Sequence, residues 1–314
     1  MSSAATSDVA VTARVPAKVN LELMVGPQRA DGFHHLATVF QAVGLYDDVT
    51  VELAADWGIT ITGPYADQVP TDDTNLALRA ARLLAEATGT NLPVHITIGK
   101  DIPVAGGMAG GSADAAGALL ACDHLWGLAS SRTALEVLGA ELGSDVPFAL
   151  AGGTAMGSGR GDQLVPVLGR GRYHWVFALG DAGLSTPRVY AECDRLRAGL
   201  RVHEPTSSPS MMTALRSGDS AALGRALSND LQPAAFSLRP ELEEVLRTGM
   251  EYGALGGVVS GSGPTVAFLV SDTDHGLDLA VALTASGAAP AVKRAVGPVP
   301  GAHLVTGPTA LRSI

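Results

Sequence analysis

Two glycine pairs stand between a strand pattern and a helix pattern in Pro103-Val104-Ala105-Gly106-Gly107-Met108-Ala109-Gly110-Gly111-Ser112-Ala113. The strand side is the alternation Val94, Ile96, Ile98, and the helix side is an apolar run predicted from about Ser112 to Leu125. Without a Cβ, glycine lets backbone N–H groups turn inward and approach a ligand closely. A helix start adds unpaired N–H donors and partial positive charge, which suit a phosphate. The same residues would also serve a tight strand–helix turn, and the local pattern leaves both readings open. Ser112 is the side-chain donor expected at the helix start, toward a phosphate oxygen or a bound Mg²⁺, a role compatible with that of a plain N-cap. Gly106 and Gly111 have the spacing of a P-loop, but Ser112 follows where that loop needs Lys. The loop also has no G-x-G-x-x-G, so a dinucleotide fingerprint is unsupported.

Around this loop, strand and helix periodicities alternate. Strands are predicted at 19–25, 36–44, 48–53, 58–62 and 94–98, and helices at 72–88, 112–125 and 132–142. Gly152 to Gly161 holds five glycines and is expected to turn between strands. Beyond it, strands are predicted at 173–180, 258–260, 265–270, 291–296 and 303–306, and helices at 187–198, 210–217, 220–227, 240–248 and 276–286. The polar stretch 195–210 is expected to be a mobile connection, and 166–171 a domain boundary. At 314 residues the expectation is a tail at 1–10, one domain at 11–168 and a second at 169–314.

Composition narrows the function classes. With 46% hydrophobic and 17% charged residues the chain has enough apolar content for a sizeable core and too little charge for disorder. A net charge of −10 argues against a nucleic-acid partner, which needs clustered cations. The start of the chain lacks the cationic and apolar blocks of a signal peptide, and no stretch of 18 apolar residues suggests a membrane span. Cys122 and Cys193 form no C-x-x-C pair, which suggests a reducing cytoplasm.

Several polar residues sit in apolar company. In Pro16-Ala17-Lys18-Val19-Asn20, Lys18 and Asn20 share one strand face, and both need partners if that strand is buried. A solvent-facing strand side is the competing reading. Asp145, in Gly143-Ser144-Asp145-Val146-Pro147, follows a helix end and reads as a turn residue, or as a base if it meets Lys18 near a phosphate. His34 and His35 have no matching metal ligands nearby, so zinc is discounted. Lys100 is read as a solvated strand end, with added charge beside a bound nucleotide as the alternative. The turn Ser260-Gly261-Ser262-Gly263-Pro264-Thr265 is read as a hairpin or bulge, with approach of a ligand to its backbone as the alternative.

The order of five segments carries a resemblance: P-A-K-V-N at 16–20, R-A-D-G-F-H at 29–34, the glycine loop at 103–113, G-S-D-V-P-F at 143–148 and G-S-G-P-T at 261–265. Together they resemble the GHMP small-molecule kinases over nearly the whole chain. The pairing of the first two is similar to the branch acting on 4-diphosphocytidyl-2-C-methyl-D-erythritol in the non-mevalonate isoprenoid pathway. The resemblance implies an α+β fold of two domains with the active site in the cleft between them. It implies ATP as phosphoryl donor, with Mg²⁺, and the 2-hydroxyl of the methylerythritol unit as acceptor.

By position, Asp145 resembles the catalytic base and Lys18 its partner. Pro103 to Ala113 would cradle the ATP phosphates, with Asn75 near the nucleoside. Asn20 would hold the polyol, His34 with Phe33 would read the cytosine, and Tyr190 would stack on it. Ala109 and Phe33 stand where the family more often has Gly and Tyr. Homoserine-type or mevalonate-type kinases, and a non-catalytic nucleotide-binding protein of the same fold, are the alternatives. The composition fits a monomer or a weak homodimer.

Overall fold

The computed structural model describes residues 10–181 and 183–305. The expected tail, up to Val9, and Thr306 at the end of the last predicted strand lie outside the described residues. The chain runs β1 (Val11–Gln28), β2 (His34–Leu53), β3 (Gly58–Thr62), α1 (Leu76–Thr88), β4 (Val94–Gly99), α2 (Gly110–Leu125), α3 (Arg132–Leu142), α4 (Val146–Ala151), β5 (Thr154–Ser158) and β6 (Gln163–Pro166). It continues with β7 (Tyr173–Leu179), α5 (Thr186–Leu196), α6 (Pro209–Ser217), α7 (Ser220–Ala226), β8 (Ser228–Asn229), α8 (Gln232–Leu238), α9 (Glu241–Glu251), β9 (Gly256–Val259), β10 (Val266–Val270), α10 (Thr273–Ala285), β11 (Ala291–Gly297) and β12 (His303–Val305).

These elements form the α+β architecture expected from the sequence, with two sheets. The first has the path β12-β1-β2-β4-β3, with β5 and β6 extending from β2 and β8 beside β1; the second has the order β11-β7-β10-β9. The late strands β8 and β12 both return to β1, so the end of the chain helps to frame the first sheet. On β7, side chains alternate between two cores: Trp175 and Phe177 face the larger one, Val176 and Ala178 the other. Trp175 Nε1 crosses toward the first sheet and donates to Gln41 Oε1 at 3.0 Å.

Two predicted strands, 36–44 and 48–53, merge into the single strand β2. The register slips where Pro16 pairs with Tyr46 and Ala17 with Val43. Proline has no N–H for the ladder, so a bulge forms opposite it instead of a strand end. Helix α1 begins later than predicted because Asp72 closes its own turn on Thr74. Asn75 then caps the helix, its Oδ1 accepting from the N–H groups of Ala77 and Leu78.

Helix α2 lies directly on the first sheet. A Cβ on Gly117 would come within 2.6 Å of Val49 Cγ2, so only glycine allows this approach. The short helices α4 and α8 were not predicted; each carries a proline in its first turn, and each falls in a run too short to show a helical period. The glycine-rich stretch from Gly152 to Gly161 contains strand β5 as well as a turn. The stretch 195–210 has no strand but is tied down: Ser208 N–H donates to the buried Glu22 carboxylate, and Arg197 pairs with Asp230. Among the described residues no helix is long and apolar enough to cross a membrane.

Candidate active site

The glycine loop and the second glycine turn interlock. Ser260 Oγ donates to the Gly107 carbonyl at 2.9 Å, and a Cβ on Gly107 would lie 2.0 Å from the Ser260 carbonyl oxygen. Asn229, on β8, steadies that turn by donating from Nδ2 to the carbonyls of Val259 and Gly261. The Ser260–Thr265 turn is therefore the opposite wall of the loop rather than an isolated hairpin. Met108 anchors the loop in the core, and its carbonyl accepts from Lys18 N–H at 3.2 Å.

The loop holds two non-glycine residues in the left-handed region, Ala105 at φ 51° and Ala109 at φ 61°. Ala109 is also the residue before helix α2, which begins at Gly110, two residues earlier than predicted. Ser112 is thus inside the first turn, not at the N-cap. No side chain caps the helix, and the cavity in front of its first turn is lined by Gly110, Gly111 and Ser112. Those N–H groups form an anion-binding helix end.

Lys100 is a correction to the sequence reading. It is 1% exposed and holds two carboxylates, Asp47 and Asp114, each at 2.6 Å. Asp47 Oδ1 also accepts from the N–H groups of Asp101 and Ile102. The triad ties β2, the end of β4 and the start of α2 together beneath the loop. Burial, opposed by the Lys100 charge, pushes Asp114 up to about 8, while among the described residues Asp114 Oδ1 has no hydrogen-bond partner. A protonated Asp114 leaves Lys100 and Asp47 as one balanced ion pair.

On the other side of the loop, β1 presents Lys18 and Asn20 to the cavity, and both are buried. Lys18 Nζ donates to Asn20 Oδ1 at 2.6 Å, Asn20 Nδ2 to Thr38 Oγ1 at 2.9 Å, and Thr38 Oγ1 to the Glu22 carbonyl at 2.8 Å. This chain fixes the lysine. Burial pushes Lys18 below its ordinary value, and the negative charge of Asp145 partly restores it. Asp145 Oδ2 stands 3.9 Å from Lys18 Nζ. Asp145 precedes α4 at the N-cap position, yet its carboxylate makes no capping bond, and it lines the cavity instead. An acid that could cap a helix and does not is available for other work.

This first cavity, of about 480 Å³, is bounded by β1, β2, the glycine loop, Asp145, the start of α5 and the Gly261 turn. A second cavity of about 640 Å³ adjoins it and contains Phe33, His34, Tyr190 and Asp194. The rings of His34 and Tyr190 lie 5.1 Å apart with planes tilted by 31°. His34 Nε2 is 2.9 Å from Asp194 Oδ1. Because a carboxylate only accepts, Nε2 carries the hydrogen and a neutral ring keeps Nδ1 as an acceptor. Phe33 is 53% exposed at the rim, under the guanidinium of Arg160 at 5.2 Å.

Most sequence-predicted residues meet around these two cavities. Lys18, Asn20, Asp145 and the loop residues Ala105, Gly106, Gly107, Ala109, Gly110, Gly111 and Ser112 line the first, Phe33 and His34 the second, and Tyr190 both. Pro103, Val104, Met108 and Ala113 line neither and shape the loop from behind. Asn75 also lines neither: its side chain is spent on the α1 cap and on the Pro70 carbonyl, and its neighbour Leu76 faces the first cavity. Sequence reasoning missed Thr38, Arg160 and Asp194. Thr38 had a usable signal, a lone hydroxyl between Ala37 and Val39. Asp194 had none, because its partner lies 160 residues away. Among the described residues no cluster of His, Cys, Asp and Glu could hold a metal ion.

Comparison with known proteins follows the same outline. Residues 75–153 match the GHMP kinases N terminal domain, and residues 211–289 the GHMP kinases C terminal domain. A 4-diphosphocytidyl-2-C-methyl-D-erythritol kinase from Streptomyces avermitilis is 58% identical over 297 residues, covering 95% of this chain and all of the relative. A crystal structure of 4-(cytidine 5'-diphospho)-2C-methyl-D-erythritol kinase superposes with a TM-score of 0.73 at 33% identity, over 94% of this chain and all of that one. A homoserine kinase from Cytophaga hutchinsonii superposes nearly as well, TM-score 0.72 over 97% of this chain and all of its own, but at 18% identity it speaks for the fold alone.

Proposed function

Because the chain belongs to the 4-diphosphocytidyl-2-C-methyl-D-erythritol kinases, a family within the GHMP kinases, we propose a residue-level mechanism for its ATP-dependent reaction. It is a small-molecule kinase that transfers the γ-phosphoryl group of ATP to the 2-hydroxyl of that substrate. The observation that carries the mechanism is the meeting of Lys18 and Asp145, 3.9 Å apart, at the mouth of the glycine loop.

Phosphoryl transfer needs positioning and charge stabilisation more than covalent help from the protein. ATP enters as its magnesium complex, and its phosphates lie against the loop N–H groups and the first turn of α2. Asn20, oriented by Thr38, holds the polyol. The acceptor hydroxyl sits between Asp145 and Lys18. As the new P–O bond forms and the bond from the γ-phosphorus to ADP breaks, the hydroxyl proton passes to the Asp145 carboxylate. Lys18 steadies the charge developing on the acceptor oxygen. Among the described residues no cluster of carboxylates or histidines is placed to ligate magnesium, and the ion would be held by the ATP phosphates, whose charge it would shield.

The cytosine occupies the second cavity, stacked near Tyr190 and Phe33, with its exocyclic amine donating to His34 Nδ1. Asn75 acts near the nucleoside only through the turn it caps. The chain divides functionally at about 168/169, the later half supplying α5 and the Gly261 turn to the shared cleft. Free, buried Cys122 and Cys193 are in keeping with a cytoplasmic enzyme.

³¹P NMR with MgATP tests this reading, with 4-diphosphocytidyl-2-C-methyl-D-erythritol, mevalonate and homoserine in separate tubes. A new phosphomonoester resonance is expected with the cytidyl substrate alone. Transfer to either of the other alcohols, but not to this one, would overturn the substrate assignment.

A further inference from the structure

The two cavities are one continuous trough. They share Leu36, Ser144, Arg160, Thr186, Pro187 and Tyr190. Of those six, Arg160 alone is charged. It is also the only Lys or Arg in the lining of the second cavity, while the first has it and Lys18. We propose that Arg160 binds the diphosphate of the substrate where it crosses from one cavity to the other.

This inference rests on the substrate reading above. The acceptor hydroxyl belongs beside Asp145 in the first cavity, and the cytosine beside His34 in the second. The diphosphate lies between those two ends of the molecule, so it must pass the junction. The junction is otherwise apolar or hydroxylic, and two phosphates desolvated there need a cation.

Arg160 is built for the task. It follows Gly159 in the turn between β5 and β6. Asp162, itself largely buried, accepts from Arg160 Nε at 3.4 Å and from Nη2 at 3.1 Å, and the Ala140 carbonyl accepts from Nη2 at 3.3 Å. The Phe33 ring supports one face of the guanidinium. Among the described residues Nη1 has no hydrogen-bond partner. The guanidinium is therefore held in place on one edge and open on the other. The acidic residues of the second cavity, Glu141 and Asp194, make a diphosphate there unfavourable without it.

A structural role for the Arg160–Asp162 pair predicts something different, and titration calorimetry separates the two. Cytidine and CDP are titrated into the full-length protein with its ATP site filled by saturating MgADP. Wild type is expected to bind CDP at least tenfold more tightly than cytidine. R160Q should lose most of that gain, about tenfold to a hundredfold in CDP affinity, with cytidine affinity within twofold of wild type. R160K, which keeps the charge but not the fork, should retain part of the gain, and it serves as the test if R160Q fails to fold. Equal weakening of cytidine and CDP in R160Q would overturn the proposal in favour of a structural role. An unchanged CDP-to-cytidine ratio would also overturn it. Wild type binding neither ligand would instead remove the cytosine assignment beneath it.

Discussion

Gly107 and Ser260 are in direct contact although 153 residues separate them. The Ser260 hydroxyl donates to the Gly107 carbonyl, and the Ser260 carbonyl fills the space where a Cβ on residue 107 would go. Gly107 also sits at φ 74°, a conformation that costs an L-residue about 1–2 kcal/mol. Gly107→Ala therefore combines backbone strain with a backbone clash that no side-chain rotation relieves. The expected result is a folded but destabilised enzyme, down by roughly 2–4 kcal/mol in denaturant melts, with ATP KM raised at least tenfold. A variant with normal stability and normal ATP KM would show that the two glycine motifs do not need this contact.

Asp145 offers a sharper separation of chemistry from stability. Its carboxylate does not cap α4, so Asp145→Asn removes no capping bond. The melting temperature should move by little, while kcat falls by about 10²–10⁴, the usual value of a positioned general base. Equilibrium binding of ATP should stay near wild type. Near-normal turnover in this variant would remove Asp145 from the mechanism.

Lys18 adds a pH signature to the same site. Burial disfavours its charged form, so it loses its proton below the ordinary lysine value of 10.5, even with Asp145 pulling the other way. If the charged amine steadies the acceptor oxygen, kcat/KM should fall on the alkaline side below pH 10.5. Lys18→Arg, which stays charged throughout, should lower the plateau by an order of magnitude or more and move that limb upward. An alkaline limb unmoved by the substitution would assign it to another group.

The Lys100 triad is where sequence reading and structure diverge most, and the reason is physical. A lysine at a strand end is usually solvated, and nothing local announces that Asp47 and Asp114 converge on it from 53 and 14 residues away. The same limit hid Asp194, whose partner His34 lies 160 residues away, and Arg160, which meets the Ala140 carbonyl and the Phe33 ring from distant parts of the chain. What was legible was local: the alternation of β1 that puts Lys18 beside Asn20, and the glycine loop between strand and helix. The α+β class followed from such periodicities. Strand β2 was cut in two because its bulge is imposed by Pro16 on the neighbouring strand, and Asn75 was credited to the nucleotide because a cap is decided by where its helix starts.

The triad also makes stability depend on pH. An unfolded aspartate titrates near 3.8, whereas Asp114 in the folded protein is pushed up to about 8. Between those values the folded state holds a proton that the unfolded state has released, so stability falls as pH rises through that window. Asp114→Asn, which imitates the protonated acid, should flatten that slope in urea melts taken from pH 5.5 to pH 9. Lys100→Met leaves the buried Asp47 carboxylate without its cation and should cost about 3–5 kcal/mol. A D114N profile parallel to wild type would mean that another group sets the slope.

Asp194 should govern which pyrimidine the enzyme accepts. By holding the hydrogen of His34 on Nε2, it leaves Nδ1 free to accept from an amine, as cytosine presents, and poorly matched to the carbonyl that uracil presents in the same place. Asp194→Ala removes that bias and lets the other tautomer form. At pH 8, where an ordinary histidine is neutral, KM for the cytidyl substrate should rise about threefold to tenfold with kcat little changed. The preference for it over a uridyl analogue should shrink by a similar factor. Asp194→Glu, which can still accept from Nε2, should recover part of both. The same variants can be followed by ¹⁵N NMR of the imidazole: wild type should show its hydrogen on Nε2, and the alanine variant a mixture of tautomers. If the alanine variant keeps the wild-type tautomer and the wild-type cytidyl preference, His34 is oriented by its packing against Tyr190 alone, and the carboxylate is a bystander at the rim.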